Sequence, residues 1–97
     1  MIGSQDSRIE LCVSVRNLSK RHVVLYLEPW GEEINMPVDR ELIIVGEGPQ
    51  RGSGFTVDYA EHGMTVTGWT GSIVRVFSNG QQIVGSPDMP PVPDFDS

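Results

Sequence analysis

The sequence predicts an all-β protein: a single-domain antiparallel β-sandwich or small barrel of seven to eight short strands. Composition is the first reason, because Val occurs twelve times and Ile seven times, whereas Ala, the best helix former, occurs once. Seven Pro and eleven Gly then supply the turns that many short strands require. Finally, apolar and polar residues alternate in several runs, and no ten-residue window has the helical period.

The first half of the chain is predicted to form strands at residues 8–16, 22–28, 32–36 and 40–45. The first run alternates cleanly between an apolar and a polar face. The second run is partly apolar on both faces, which favours a position inside a sheet. It ends at Pro29-Trp30-Gly31, where Pro lacks the donor that a ladder needs. Residues 46–54 contain four Gly and are predicted to form a mobile loop.

The second half is predicted to form two hairpins. Alternating runs at 55–60 and 64–69 flank a short Gly-containing connection at 61–63. Runs at 72–78 and 81–84 flank Asn79-Gly80. This dipeptide is the strongest short hairpin signal, because a type I′ turn needs positive φ at both central residues.

Two segments differ in composition. Residues 1–85 are predicted to form the β-sandwich domain, and residues 86–97 a Pro- and Asp-rich C-terminal tail. The tail holds four Pro and three Asp, cannot pair as a strand, and is expected to contribute little to stability. The predicted core consists of apolar residues that alternate along the strands and so fall on one face of each strand. They are Ile9, Leu11, Val13, Val15, Val23, Leu25, Leu27, Leu42, Ile44, Phe55, Val57, Val66, Val74 and Val76.

Charge and length exclude several classes of protein. Seven Lys and Arg against thirteen Asp and Glu give a net charge of −6, which excludes a basic nucleic-acid-binding protein. A single Cys excludes a disulfide-stapled mini-protein. The longest apolar run is about four residues, so no membrane span is predicted, and the N-terminus lacks the apolar run of a signal peptide. We therefore expect a cytoplasmic protein without a nucleic-acid or membrane partner.

Cys12, His22 and His62 are the side chains that could ligate a metal or act in nucleophilic catalysis. A blue-copper site clusters two His, one Cys and an axial Met near one end of a sandwich, whereas here the two His lie forty residues apart. Cys12 lies in the middle of a predicted strand rather than at a turn or helix start that would activate a thiol. We therefore predict no catalytic, metal-binding or cofactor-binding residue, and rank an enzyme using these side chains third among three hypotheses.

The leading hypothesis is a non-enzymatic module that acts through a protein–protein surface, with another protein or a second copy in a two-fold homodimer as its partner. The second is a small-molecule or carbohydrate-binding module that uses Trp30 or Trp69, which lie next to turn residues. Acidic residues are concentrated between positions 23 and 63, where they either keep the protein soluble or bind a basic partner. The candidate interaction surface comprises Val24, Tyr26, Trp30, Glu32, Glu33, Trp69, Ile73 and Phe77.

Overall fold

Eight β-strands form two four-stranded sheets that pack together as a sandwich, which confirms the predicted fold class. The computed structural model describes residues 7–60, 63–84 and 90–93, and these residues contain no helix. The strands are β1 (Arg8–Arg16), β2 (Val23–Glu28), β3 (Glu32–Met36), β4 (Glu41–Pro49), β5 (Thr56–Ala60), β6 (Gly63–Thr67), β7 (Ile73–Ser78) and β8 (Gln81–Val84).

Strand order differs from chain order in both sheets. Sheet 1 has the order β1-β4-β7-β8, and sheet 2 has the order β3-β2-β6-β5. Among these pairs β2 and β6 run parallel, and the others are antiparallel. β2 lies between β3 and β6, which confirms the predicted interior position of this strand. Since β1 and β2 belong to different sheets, the chain passes from one layer to the other directly after its first strand.

The core is the layer between the sheets, and alternate side chains of both sheets fill it. Eight predicted core residues are buried there: Val15, Leu25, Leu27, Leu42, Ile44, Val66, Val74 and Val76. The other six are half-buried, three of them on the edge strand β1: Ile9, Leu11, Val13, Val23, Phe55 and Val57. The buried hydrophobic residues that the sequence pattern missed are Ile34, Met36, Met64, Trp69 and Val92.

β4 is longer than predicted, so the expected mobile loop at 46–54 is wrong for its first four residues. Residues 46–49 continue the strand and pair with residues 8–11 of β1. A Cβ atom on Gly46 would lie 2.7 Å from ring atoms of both Phe55 and Trp69. Glycine is thus required at this inward-facing strand position to make room for two aromatic rings.

Both predicted hairpins are confirmed. At the turn between β7 and β8, Asn79 has a φ of 53° and Gly80 a φ of 80°, as a type I′ turn requires. β5 and β6 are antiparallel, with Ala60 paired to Gly63. The connecting residues 61 and 62 lie outside the described part of the chain.

Residues 90–93 of the predicted tail lie against the sandwich without forming a strand. Val92 is 6% exposed; its backbone N–H donates to the Ser72 carbonyl at 3.0 Å, and its carbonyl accepts from the Gly71 N–H at 2.8 Å. These contacts argue against the expectation that the tail contributes little to stability, because Pro prevents a continuous ladder but not a single backbone pairing. The boundary predicted between residues 85 and 86 falls outside the described residues.

Candidate binding pocket

One end of the sandwich opens to solvent through an apolar pocket of about 250 Å³. It lies where β1 ends, β2 begins and β5 meets β6. Two core side chains line it: Met36, which is fully buried, and Met64, which is 7% exposed. The pocket therefore leads from the surface directly to the hydrophobic core. We call this end of the sandwich the open end, and the opposite end, where Val92 packs, the closed end.

The rim of the pocket carries two strongly exposed apolar side chains. Leu18, in the β1–β2 loop, is 77% exposed, and Tyr59, on β5, is 80% exposed. Tyr59 has the inward strand phase of Val57, which packs on the core, and lies opposite Met64 in the register. β5 is one of the two edge strands of sheet 2, and the inward-facing side chain at Tyr59 lies beyond the packed core, which leaves its ring in solvent.

A hydrogen-bond network around Asn17 fixes the loop that presents Leu18. The Asn17 side chain is 5% exposed; its Nδ2 donates to the Met36 carbonyl at 2.8 Å and to the Arg21 carbonyl at 2.9 Å. Its Oδ1 accepts the Ser19 N–H at 3.0 Å, which closes a local turn of the type that Asn favours. The backbone of Asn17 pairs in addition with residues 39 and 40 across the β3–β4 turn. The apolar Leu18 side chain is thus held in solvent by a buried polar residue beside it.

The loop beside the pocket is basic. Arg16, the last residue of β1, lines the pocket, and Lys20 and Arg21 follow in the β1–β2 loop. No acidic residue lies between positions 16 and 22. The Arg16 Nη2 atom lies 3.9 Å from the Glu41 Oε2 atom, but both side chains are about half exposed, so this pair is weak. The acidic residue next to the lining in sequence, Glu61, lies outside the described residues.

The strand residues of the predicted interaction surface lie on opposite faces of the sandwich. Val24 and Tyr26 face outward from sheet 2, where Tyr26 is 38% exposed and pairs with Glu33 of β3. Ile73 and Phe77 face outward from sheet 1 and are half-buried. One partner cannot cover both pairs, because the two sheets lie between them. Contact of either face with a partner stays a prediction.

Glu32 and Glu33 are neighbours on β3, the edge strand of sheet 2. Both side chains are exposed. They lie near the closed end, since β3 starts at Glu32 and reaches the open end at Met36. They are therefore separated from the apolar pocket by the length of β3.

Trp69 does not belong to an exposed surface, which corrects its assignment to the interaction surface and to a ring-stacking site. It is 5% exposed, its ring meets Phe55 edge-on with centroids 5.5 Å apart, and its Nε1 donates to the Pro49 carbonyl at 2.8 Å. Trp30 is half-buried, and its Nε1 donates to the Pro90 carbonyl at 2.8 Å. Both indoles therefore help to close one end of the sandwich.

Cys12 and His22 are not brought together. Cys12 is exposed on β1 of sheet 1, whereas His22 precedes β2 of sheet 2. His62 lies outside the described residues. Within residues 7–60, 63–84 and 90–93, no three His, Cys, Asp or Glu side chains are grouped so that they could hold a metal ion.

Sequence reasoning missed the pocket. Alternation assigned Tyr59 the same face as Val57, without showing that the strand lies at an edge. Leu18 carried a usable signal, since a large aliphatic residue between Asn and Ser in a predicted turn has no strand to bury it. The pocket itself is formed by three regions that are distant in sequence, at residues 16–23, 36 and 59–64, so no local pattern marks it.

No protein-family model, curated protein or solved structure matches the chain. In the part of the chain that the structure describes, there is also no helix long and apolar enough to cross a bilayer.

Proposed function

We propose that this protein is a non-enzymatic interaction module that binds a protein partner by accepting one of its apolar side chains in the open-end pocket. One observation carries the proposal: the two most exposed large apolar side chains of the described residues, Leu18 and Tyr59, flank the same pocket. Single exposed apolar side chains are normal on protein surfaces, whereas apolar residues grouped around a concavity are typical of interaction sites.

The size of the pocket favours a protein side chain over a free small molecule. Its volume of about 250 Å³ lies below the range of about 300–1,000 Å³ typical of sites for drug-sized ligands. A large apolar side chain is smaller than such ligands, and its polypeptide backbone would remain outside the pocket.

The position of the pocket favours an extended partner segment. Tyr59 and Ala60 of the lining belong to β5, which has a neighbouring strand on one side only in the described sheet. A partner strand can pair with such an edge while alternate side chains enter adjacent pockets. The basic β1–β2 loop further favours acidic residues next to the apolar anchor.

The Asn17 network lowers the cost of binding. A loop already fixed by hydrogen bonds loses little conformational entropy when a partner contacts it. The loop that carries Leu18 is therefore fixed before the partner arrives. This is the preorganisation expected of a recognition element.

Selection of random linear peptides on the full chain tests the proposal. We expect the enriched peptides to contain a large apolar residue next to Asp or Glu. We expect Leu18→Asp to weaken their binding at least about 10-fold, as loss of one interface anchor does. Ile83→Asp is the matched control, because Ile83 is exposed at 40% on β8, in the other sheet, and its substitution should leave the affinity unchanged.

Either of two outcomes would contradict the proposal. The selection could enrich no common motif, or the enriched peptides could bind Leu18→Asp as tightly as the unsubstituted chain. Circular dichroism of both variants tests whether the substitutions at these exposed positions preserve the fold.

A further inference from the structure

Residues 94–97 of this chain carry the kind of side chain that the pocket favours. They are Asp94-Phe95-Asp96-Ser97, which places one aromatic residue between two carboxylates. We propose that the open-end pocket of one copy binds Phe95 of a second copy. This inference rests on the proposed function, because it names the partner of the same pocket.

Charge complementarity supports this occupant. The pocket is apolar and has a basic loop at its rim, in a chain whose net charge is −6. Arg16 lines both the apolar pocket and the polar groove of about 450 Å³ beside it, where Arg40 accompanies it and Asp39 and Glu41 supply two carboxylates. A carboxylate next to a Phe95 ring in the pocket would therefore lie close to the Arg16 guanidinium, which its weak pairing with Glu41 leaves available.

The reach of the chain requires that the occupant come from another copy. Val92 is held at the closed end through Gly71, which packs beside Pro49. The distance between the ends is about 27 Å, the length of the nine-residue strand β1 from Arg8 opposite Pro49 to Arg16 at the pocket. Phe95 lies three residues after Val92, so the Phe95 backbone can be at most about 11 Å from the Val92 backbone. This reach is well short of the pocket in the same copy.

A two-fold dimer satisfies both pockets at once. When two sandwiches lie side by side and antiparallel, the open end of each is next to the closed end of the other, where Val92 lies. Each pocket then receives the Phe95 of its neighbour. Because each copy supplies one Phe95 and receives one, the two copies form a closed pair rather than a fibre, as in most soluble homo-oligomers.

Sedimentation equilibrium of the full chain tests this exchange of Phe95 between copies at protein concentrations of about 10 µM to about 1 mM, a range suited to contacts of small area. We expect a dimer that dissociates toward the 10.7 kDa monomer on either Phe95→Ala or Leu18→Asp, while Ile83→Asp associates like the unsubstituted chain. We also expect association to weaken at high salt, because exposed charges take part. A chain that is monomeric throughout this range, or a dimer that neither substitution weakens, overturns the inference.

A labelled peptide of residues 90–97 isolates the contact. We expect it to bind the Phe95→Ala protein, whose pocket is free, and not the Leu18→Asp protein. The same peptide with Phe95→Ala should bind neither protein. A one-to-one mixture of the two protein variants should form a complex, because it holds one intact tail and one intact pocket. Absence of peptide binding, or of a complex in the mixture, overturns the exchange.

These results also separate the two proposals. If selected peptides bind the pocket in a Leu18-dependent way while the residue 90–97 peptide does not, the interaction module stands and its partner is a different protein. If neither kind of peptide depends on Leu18, the proposed function fails together with the inference.

Discussion

The two ends of the sandwich are ordered by different interactions. At the closed end, the Trp69 ring meets Phe55 edge-on with an interplanar angle of 80°, and Val92 packs there as a buried residue. At the open end, the buried Asn17 side chain fixes the loop, and Leu18 beside it points into solvent. Hydrogen bonds are present at both ends. Apolar burial adds to them at the closed end, whereas the loop at the open end is held by hydrogen bonds while its apolar side chain stays exposed.

This difference separates stability from binding. Burial of an aromatic side chain contributes directly to the free energy of folding. A loop held by hydrogen bonds gains order while its apolar surface stays in water, and that surface is then available to a partner. We therefore expect substitutions at the closed end to change stability, and substitutions at the open-end rim to change association.

The largest expected difference in unfolding free energy is between two single substitutions of aromatic residues, one at each end. Trp69→Ala should lower the free energy of unfolding by about 3–5 kcal/mol, because it empties a packed site and leaves the Pro49 carbonyl without its donor. Tyr59→Ala should lower it by less than about 0.5 kcal/mol, since this ring is 80% exposed. Urea denaturation measures both. Equal losses would mean that the open end is packed like the closed end.

Gly46→Ala tests how tightly the closed end is packed. The added methyl group would lie 2.7 Å from ring atoms of Phe55 and Trp69, so we expect a loss of about 1–3 kcal/mol. Combining it with Phe55→Leu should cost less than the sum of the single losses, because the smaller side chain relieves part of the overlap. Additive losses in thermal and urea unfolding would place the rings farther from Gly46.

Two changes in the tail separate its contribution to stability from its contribution to association. Val92→Ala should cost about 1–2 kcal/mol, since the side chain is 6% exposed. Removal of residues 94–97 alone should change the unfolding free energy by less than about 0.5 kcal/mol and abolish dimer formation. Calorimetry and sedimentation of the same samples check both parts. A large stability loss on removing residues 94–97 would assign those residues to the monomer fold.

The smallest effect is expected at Ser72. Its Oγ is buried and has no hydrogen-bond partner within the described residues. Ser72→Ala removes this unsatisfied group, so we expect stability to stay equal or to rise by up to about 1 kcal/mol. Ser14→Ala is the comparison, because Ser14 Oγ donates to the exposed Glu41 carboxylate at 2.9 Å and its loss should slightly destabilise. A clear loss at Ser72 would reveal a partner for its hydroxyl.

Local chemistry in the sequence determined the strands and the tight turns. Alternation is a property of neighbouring residues, so the first strand and its polar outer face could be read directly. The positive φ angles at Asn79 and Gly80 likewise follow from the residue types, which tolerate a conformation that most side chains avoid. The fold class could be predicted because all of these signals agree with one another.

Only the tertiary structure decided which alternating positions are covered. Tyr59 has an inward strand phase and is exposed, whereas Trp69 lies next to turn residues, was assigned to the interaction surface and is buried. Their surroundings depend on strand order and on which strand lies at an edge, including the parallel pairing of β2 with β6, and these are set by contacts between distant segments. The open-end pocket has the same origin: burial depends on what packs across the core, and a period-two pattern contains no information about that neighbour.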